Sequence, residues 1–338
     1  MVKRVAVIGA GISGLVSIKC CLDEGLSPVC FEQGDEIGGI WAYHDEPCET
    51  NGAAIYESLV TNTCSEMTCF SDFPFPEETP VYLRHHLMKE YYNQYAEKFA
   101  LYQFINFNTK VLKVTPTSNF CRTGQWVLNL QTGEQSNRSE VFDAVMCCTG
   151  LESSKNMPKY KGSETFEGLI MHSNCFKRGC DFREKTVIVV GDGNSAGDVA
   201  SEVSRYAKQV YISMRDGTFV ILRMGREAIP IDKMANKRIL DCLPNSAKYY
   251  IAEKKILSQV DHDKLGLKSS KRLYKHRTML TDDIANRIFC GAVKCRPVIK
   301  QLKKRSVEFV DGTIVDDVDA IICATGYNVT FPYIDIVA

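Results

Sequence analysis

Two glycine-rich loops are the features of this sequence whose residue types and spacing point most directly to chemistry. Residues 9–14 are GAGISG, and residues 191–196 are GDGNSA. The first two glycines of such a loop allow a tight turn and a close backbone approach, so that the N–H groups that begin the next helix reach a pyrophosphate. Alanine in place of the last glycine, as at Ala196, is an accepted variant. Both loops are therefore predicted to bind dinucleotides.

The context of each loop decides its meaning, because a lone GxGxxG pattern also arises from purely geometric turns. The first loop follows the strand predicted over residues 3–8 and precedes the helical pattern 15–22. The second loop follows the apolar run 186–190 and precedes the helical pattern 197–206. A strand, a glycine loop and a helix in this order are typical of a nucleotide-binding βα unit.

The residue that ends the next predicted strand distinguishes the two loops by charge. Glu32 lies 23 residues after Gly9, where a carboxylate accepts hydrogen bonds from both ribose hydroxyls and repels a 2′-phosphate. Arg215 ends a strand predicted over residues 209–215, 24 residues after Gly191. A guanidinium there suits the 2′-phosphate of NADP, although the adjacent Asp216 weakens that preference. The two sites together indicate FAD plus NADPH.

The elements that must position these loops form a coarse internal repeat. The first glycines of the two loops lie 182 residues apart, and residues 142–150 and 318–326 are buried-strand patterns that both end in Thr-Gly. The repeat predicts an α/β fold with two Rossmann-like dinucleotide-binding units, each built on an open parallel sheet. A polar stretch over residues 151–160, which contains Pro158, marks the expected boundary.

Composition excludes several other classes of protein. A length of 338 residues suggests two domains, and the 41 Lys plus Arg residues balance 41 Asp plus Glu residues, which argues against a nucleic-acid partner. No apolar stretch is long enough to predict a transmembrane helix. The 15 cysteines include no CxxC pair, so we predict neither a metal site nor a disulfide-reductase pair, and we expect a reducing compartment.

Several short segments make the chain resemble the flavin-containing monooxygenases of the animal microsomal type. These segments occur in the family's order along the whole chain and read FEGLIMHSNCFK at 166–177, EIGGIW at 36–41, LVTN at 59–62, SDFPFP at 71–76 and ATGY at 324–327. Within the first of them we interpret His172 and Phe176 as structural residues at the domain junction.

The resemblance also implies which residues contact the cofactors. Asn62 matches an asparagine that lies beside the flavin and the bound nicotinamide, and its amide both donates and accepts, so it is the expected catalytic residue. The residues expected to bind FAD are Gly9, Ala10, Gly11, Ile12, Ser13, Gly14, Glu32, Gly39, Ile40, Trp41, Thr61 and Asn62. The residues expected to bind NADP are Gly191, Gly193, Asn194, Ser195, Ala196, Gly197, Asp198 and Arg215.

The activity that the resemblance implies is oxygenation of small nucleophilic substrates with NADPH and O2. An amine nitrogen or a sulfide sulfur would be oxygenated through an FAD C4a-hydroperoxide, and some family members oxygenate ketones instead. Two other functions remain open at this point. One is an FAD/NADPH reductase that passes electrons to another acceptor, and the other is a catalytically silent nucleotide-binding fragment.

The resemblance further predicts the domain organisation and location of the protein. The NADPH unit is expected to be inserted in the FAD unit, which gives an FAD-binding domain at 1–155, an NADPH-binding domain at 156–315 and a returning segment of the FAD domain at 316–338. Family members are longer and carry a hydrophobic C-terminal anchor in the endoplasmic reticulum membrane, whereas this chain stops at Ala338 without one. We therefore expect the endoplasmic reticulum by resemblance alone, together with weak FAD retention and self-association through uncovered apolar surface.

Overall fold

The computed structural model describes residues 2–46, 53–133, 136–152, 154–275 and 278–334. Two parallel sheets lie at the centres of two similar units, and each sheet carries a glycine loop at the carboxyl end of one of its strands. We call these the first unit and the second unit, in chain order.

The helices and strands of the described residues have the following bounds. The α-helices are α1 (Ile12–Asp23), α2 (Ser65–Thr68), α3 (His85–Lys98), α4 (Phe120–Thr123), α5 (Asn194–Val203), α6 (Ile231–Ala235), α7 (Arg238–Asp241), α8 (Asn245–Gln259) and α9 (Ile284–Phe289). The strands are β1 (Arg4–Ile8), β2 (Ser27–Phe31), β3 (Ile105–Asn106), β4 (Thr109–Pro116), β5 (Trp126–Thr132), β6 (Ser136–Phe142), β7 (Ala144–Cys147), β8 (Ser154–Lys155), β9 (Leu169–His172), β10 (Thr186–Val190), β11 (Gln209–Ser213), β12 (Phe219–Ile221), β13 (Thr278–Leu280), β14 (Val293–Arg296), β15 (Ile299–Leu302), β16 (Val307–Phe309), β17 (Ile314–Val315), β18 (Ala320–Cys323) and β19 (Tyr327–Asn328). Within the part of the chain that the structure describes, no helix combines the length and the apolar composition that crossing a bilayer requires.

The sheet of the first unit has the strand order β3-β2-β1-β7, and all its neighbouring strands are parallel. Val7 and Cys30 pack in the hydrophobic cluster of α1 and α3. Ala6, Ile8 and Phe31 alternate with them and pack against the antiparallel sheet β4-β5-β6. Because both faces of the sheet are covered, its central strand is almost entirely apolar.

The second unit repeats this architecture with the strand order β14-β11-β10-β18-β9, again with all neighbours parallel. Val187 and Val189 pack with Val199 of α5 on one face. Ile188 and Phe309 pack together on the other face, where the antiparallel sheet β15-β16-β17 lies. The predicted class, an α/β fold with two Rossmann-like units, is therefore confirmed.

The return of the chain to the first unit begins later than expected. Residues 320–323 form β18, which pairs with β10 and β9 of the second unit instead of belonging to a returning segment at 316–338. The reason is topological, because β18 occupies beside β10 the place that β7 occupies beside β1. The chain contacts the first unit again at Tyr333, whose carbonyl accepts a hydrogen bond from the N–H of Val114 at 2.7 Å. We therefore propose that the second unit ends at Cys323.

The chain crosses between the units through two short adjacent strands. On the outward path β8 pairs antiparallel with β19 of the return path, in the register Lys155 with Tyr327 and Ser154 with Asn328. The N–H of Asn156 also donates to the carbonyl of Gly326 at 2.9 Å. The two connecting segments are therefore hydrogen-bonded to each other, which limits how far the two units can separate.

The first glycine loop predicts a specific stability effect. A Cβ on Gly14 would overlap the carbonyl oxygen of Gly9, because α1 packs directly on the end of β1. We expect Gly14→Ala to lower the free energy of unfolding by about 3 kcal/mol or more. In the control Gly11→Ala the new Cβ would lie 3.6 Å from the Cα of Gly39, an ordinary contact. Urea unfolding of both variants is the measurement, and equal stabilities would contradict the packing role of Gly14.

Candidate functional site

The first glycine loop leaves room for a ligand at Gly11. Gly11 is the N-cap of α1, and the nearest protein atom to a Cβ built there is the Cα of Gly39. Protein packing therefore does not require glycine at this position, whereas the close approach of a pyrophosphate does. Ile12 and Ser13 follow as the first residues of the helix, where N–H groups lack partners within the helix and can bind an anion.

Glu32 is fixed beside this loop by two backbone hydrogen bonds. Its Oε2 accepts from the N–H of Ala10 at 2.7 Å, and its Oε1 accepts from the N–H of Gly34 at 2.9 Å. Each carboxylate oxygen keeps a further lone pair for a ribose hydroxyl. The geometry fits the predicted role of Glu32 toward the ribose of an adenine dinucleotide.

Residues 39–41 pack over the first loop and continue into a cavity. The N–H of Gly38 donates to the carbonyl of Ala10 at 3.0 Å. This bond brings Gly39 against Gly11, and a Cβ on Gly39 would lie 3.1 Å from the Cα of Gly11. Ile40 and Trp41 come next and line the cavity. Adjacent residues therefore connect the predicted pyrophosphate site with the predicted reaction site.

The second glycine loop divides its roles in the same way. A Cβ on Gly191 would overlap the carbonyl oxygen of Ala324, and a Cβ on Gly197 would meet the Sδ of Met279 at 2.6 Å. For Gly193, in contrast, no atom of the other described residues beyond its chain neighbours lies within 4 Å of the Cβ position. Gly191 and Gly197 therefore serve packing, and Gly193 leaves the open space that a bound pyrophosphate would fill.

Several of the predicted contact residues lie inside the protein. Ala10, Gly14, Ala196 and Gly197 are buried, so they shape the loops through their backbone and have little surface for a ligand. Arg215 is exposed and lies two residues beyond the end of β11, since the strand ends at Ser213 and not at residue 215 as predicted.

A cavity of about 340 Å³ lies between the two units and gathers the remaining predicted residues. Its walls include Ile40, Trp41, Thr61 and Asn62 from the first unit and Asn194, Ser195 and Asp198 from the second. Further lining residues that were not among the predicted cofactor-binding or catalytic residues are Tyr56, Leu59, Glu152, Ser173 and Tyr327. Neither Glu32 nor Arg215 lines the cavity, as expected for residues predicted to bind the ribose and the 2′-phosphate at the far ends of the dinucleotides.

Asn62 is held in one orientation by an arginine of the second unit. The Nη2 of Arg223 donates to the Oδ1 of Asn62 at 2.9 Å, and its Nε donates to the carbonyl of Thr61 at 3.2 Å. A carbonyl oxygen that accepts from a guanidinium fixes which side of the amide is oxygen. Asn62 also lines the cavity, and Arg223 engages its amide oxygen and not its amide nitrogen, which is a donor.

Arg223 is a functional residue that the sequence analysis missed. Asp282 binds it twice, through Oδ2 to Nη1 at 3.1 Å and through Oδ1 to the backbone N–H at 2.8 Å. The hydroxyl of Tyr82 donates to its carbonyl at 2.8 Å. No local motif marks this arginine, because its partners lie 59 and 141 residues away in the chain.

A second polar contact across the cavity joins Tyr56 to Asp198. The Tyr56 hydroxyl donates to the Oδ2 of Asp198 at 2.7 Å. Burial raises the pKa of the Asp198 carboxyl above its ordinary value, although the hydrogen bond from Tyr56 and the charge of Arg223 act in the opposite direction. Burial also raises the pKa of Tyr56 well above its usual range, and the negative charge of Asp198 adds to that shift.

His172 has the structural surroundings that we expected from its position. It is 2% exposed, its Nε2 lies 3.1 Å from the carbonyl oxygen of Gly326, and its Nδ1 accepts from the N–H of Asn174 at 3.2 Å. Burial lowers its pKa below the usual value for histidine. Both ring nitrogens are thus used within the protein, at the point where the chain returns from the second unit.

The fold and the cleft together define a protein with two Rossmann-like units that line one cavity. The family model described as FMO-like, flavin-binding monooxygenase-like, matches residues 2–337. The chain therefore belongs to the flavin-binding monooxygenase-like family, as the resemblance predicted.

Similar curated proteins support the same assignment. The chain is 41% identical over 341 residues to dimethylaniline monooxygenase [N-oxide-forming] 2 of Macaca mulatta, covering 99% of this chain and 63% of that protein. It is 42% identical over 339 residues to flavin-containing monooxygenase 5 of Oryctolagus cuniculus, covering 98% of this chain and 63% of that protein. The chain thus spans about three fifths of the length of the curated relatives that it matches.

Solved structures share the fold at lower sequence identity. S-allyl-L-cysteine S-oxygenase of Allium sativum superposes with a TM-score of 0.70 at 23% identity, covering 99% of this chain and 65% of that one. Tmm of Pelagibacter sp. strain HTCC7211 gives a TM-score of 0.69 at 25% identity, covering 98% of this chain and 63% of that one.

The open space at Gly193 predicts a variant that loses binding without losing stability. We expect Gly193→Ala to keep the free energy of unfolding within about 1 kcal/mol, because its Cβ meets no protein atom. NADP binding should weaken about tenfold or more, since the methyl group occupies the space of the pyrophosphate. Calorimetric titration with NADP and urea unfolding measure the two quantities. Gly191→Ala is the matched variant, and it should lose stability as well; unchanged NADP affinity in Gly193→Ala would refute the assignment.

Proposed function

We propose that this protein is an NADPH- and O2-dependent flavin monooxygenase that oxygenates soft nucleophiles, such as an amine nitrogen or a sulfide sulfur. The observation that carries the proposal is the cavity that residues of both nucleotide-binding units line, with the Asn62 amide in its wall. A reductase that passes electrons to a separate acceptor needs no cavity that both units line.

The first loop is the proposed FAD site. Gly11 would admit the pyrophosphate, and the fixed carboxylate of Glu32 would bind the ribose. Ile40 and Trp41 lead from this loop into the cavity, where they would lie beside the flavin ring. When bound, FAD supplies the oxygen activation and NADPH supplies the hydride.

The second loop is the proposed NADPH site. Gly193 would admit its pyrophosphate, and Arg215 would bind its 2′-phosphate through charge-assisted hydrogen bonds. Asn194 and Ser195 begin α5 and also line the cavity, so the nicotinamide end of the dinucleotide would point toward Asn62.

The cavity walls suit a small substrate. A volume of about 340 Å³ lies at the lower end of the range for ligand pockets, which runs from about 300 to 1,000 Å³. Leu59, Val60 and Trp41 supply apolar surface that would exclude water, and Asn62 supplies a hydrogen-bond donor. Together they favour a small, largely apolar nucleophile.

We also propose association with the endoplasmic reticulum membrane and with further copies of the chain. The location is supported only by the resemblance to the animal enzymes. Self-association is supported by β7, an edge strand of the parallel sheet in which Ala144, Met146 and Cys147 are exposed. Strands of parallel sheets are ordinarily covered on both faces.

The proposed activity is tested on the purified chain. We expect a yellow protein that consumes NADPH and O2 when a simple tertiary amine is added, with the N-oxide as product. Mass spectrometry of the product and an oxygen electrode measure the two outcomes. NADPH oxidation that neither consumes O2 in step with added amine nor yields N-oxide would support the reductase alternative. A protein that binds neither nucleotide would contradict the proposal altogether.

The role of Asn62 is tested with two substitutions at one position. Asn62→Ala removes both the proposed cavity donor and the acceptor for Arg223, whereas Asn62→Asp keeps an acceptor for Arg223, removes the donor and adds a negative charge. If the donor acts in the reaction, both variants should form oxygenated product about 100-fold more slowly and release hydrogen peroxide in its place. NADPH binding and the rate of flavin bleaching under anaerobic conditions should stay close to those of the parent. Normal product formation by Asn62→Asp would show that Asn62 acts only through its bond to Arg223.

A further inference from the structure

The loop that follows β11 carries charges of both signs next to each other. Arg215 is the proposed ligand of the 2′-phosphate, yet Asp216 follows it directly. A carboxylate at this point of a dinucleotide site repels a 2′-phosphate and favours NADH over NADPH. In the local sequence Asp216 therefore opposes the preference for NADPH that Arg215 indicates.

A distant segment packs tightly against this loop. The N–H of Thr218 donates to the carbonyl of Leu267 at 2.9 Å, and the N–H of Ser270 donates to the carbonyl of Asp216 at 3.0 Å. Between them Gly217 has a φ of +72°, and a Cβ there would overlap the carbonyl oxygen of Lys268. The two backbones are thus in direct contact, and we call residues 267–271 the strap.

Lys271 of the strap forms an ion pair with Asp216. The Nζ of Lys271 lies 2.6 Å from the Oδ2 of Asp216, and the hydroxyl of Ser270 donates to its Oδ1 at 3.2 Å. The Asp216 side chain is 25% exposed and the Lys271 side chain 49% exposed. Both carboxylate oxygens are therefore engaged, while the neighbouring Arg215 is exposed to solvent.

We propose that Lys271 is a specificity-determining residue that cancels the charge of Asp216 and so allows the Arg215 loop to accept a 2′-phosphate. The inference rests on the proposed NADPH site and names the source of its preference for NADPH over NADH. Lys271 acts through Asp216 and does not itself contact the nucleotide.

The size of the effect follows from Coulomb's law. Removing the Lys271 ammonium takes away one positive charge beside Asp216, so that the carboxylate repels a phosphate dianion more strongly; at this mostly solvated site the repulsion is weakened by water and by salt. We expect about a 3- to 10-fold loss of affinity for a ligand that carries the 2′-phosphate. A ligand without that phosphate should bind unchanged, and the difference should shrink at high salt.

The experiment uses calorimetric titration of the full chain with two probes, adenosine 2′,5′-bisphosphate and 5′-AMP. Lys271→Met should weaken binding of the bisphosphate about 3- to 10-fold and leave 5′-AMP unchanged. The double variant Lys271→Met/Asp216→Asn should bind the bisphosphate as the parent does, because the carboxylate charge that Lys271 offsets is also removed. Lys264→Met removes an equal charge from an exposed ion pair with Asp261 and should change neither affinity.

The outcomes separate this inference from the function on which it rests. If Arg215→Ala leaves bisphosphate binding unchanged, the NADPH site itself is wrongly assigned. If Arg215→Ala weakens it and Lys271→Met does not, only the role of Lys271 fails. If the double variant stays as weak as Lys271→Met, the lysine binds the phosphate directly and the charge-cancelling role is overturned.

Two further measurements test the same role. Weaker 5′-AMP binding in Lys271→Met would also overturn it. Asp216→Asn alone should bind the bisphosphate at least as tightly as the parent.

Discussion

The contact between Arg223 and Asn62 is the interaction on which the candidate site depends. The arginine belongs to the second unit and the asparagine to the first, so the bond fixes both the orientation of the amide and the distance between the cavity walls. The planar guanidinium reaches Thr61 and Asp282 at the same time, which a lysine could not do with one geometry. Residues of both units thus line one cavity, and polar groups connect its two sides.

The two units are packed in the same way and differ in their polar residues. In both, a parallel strand ends at a glycine loop, and a helix and a small antiparallel sheet cover the two faces. The difference lies at the end of the neighbouring strand, where the first unit has a fixed carboxylate, Glu32, and the second has the exposed Arg215. The duplicated architecture therefore differs between the two units in a few charges at similar positions.

The cavity also places ionisable groups where burial is unfavourable for their charged forms. Asp198 is held by Tyr56 and lies near Arg223, and burial still raises its pKa. A packed apolar pair at these positions would cost less to bury. The polar contacts across the cleft thus favour a defined site over maximal stability, a common balance at functional sites.

The sequence by itself determined the two glycine loops, the strands and helices beside them, the repeat of the fold and the contrast between Glu32 and Arg215, because these features depend on residues close together in the chain. The tertiary structure alone decided that β18 joins the second sheet, since a buried apolar strand pairs equally well with either sheet until the topology is set. It also decided the partners of Asn62 and Asp216. Arg223 lies 161 residues from Asn62, and Lys271 lies 55 residues from Asp216, so no local pattern contains these contacts. Charges that are distant in sequence are brought together only when the whole chain packs.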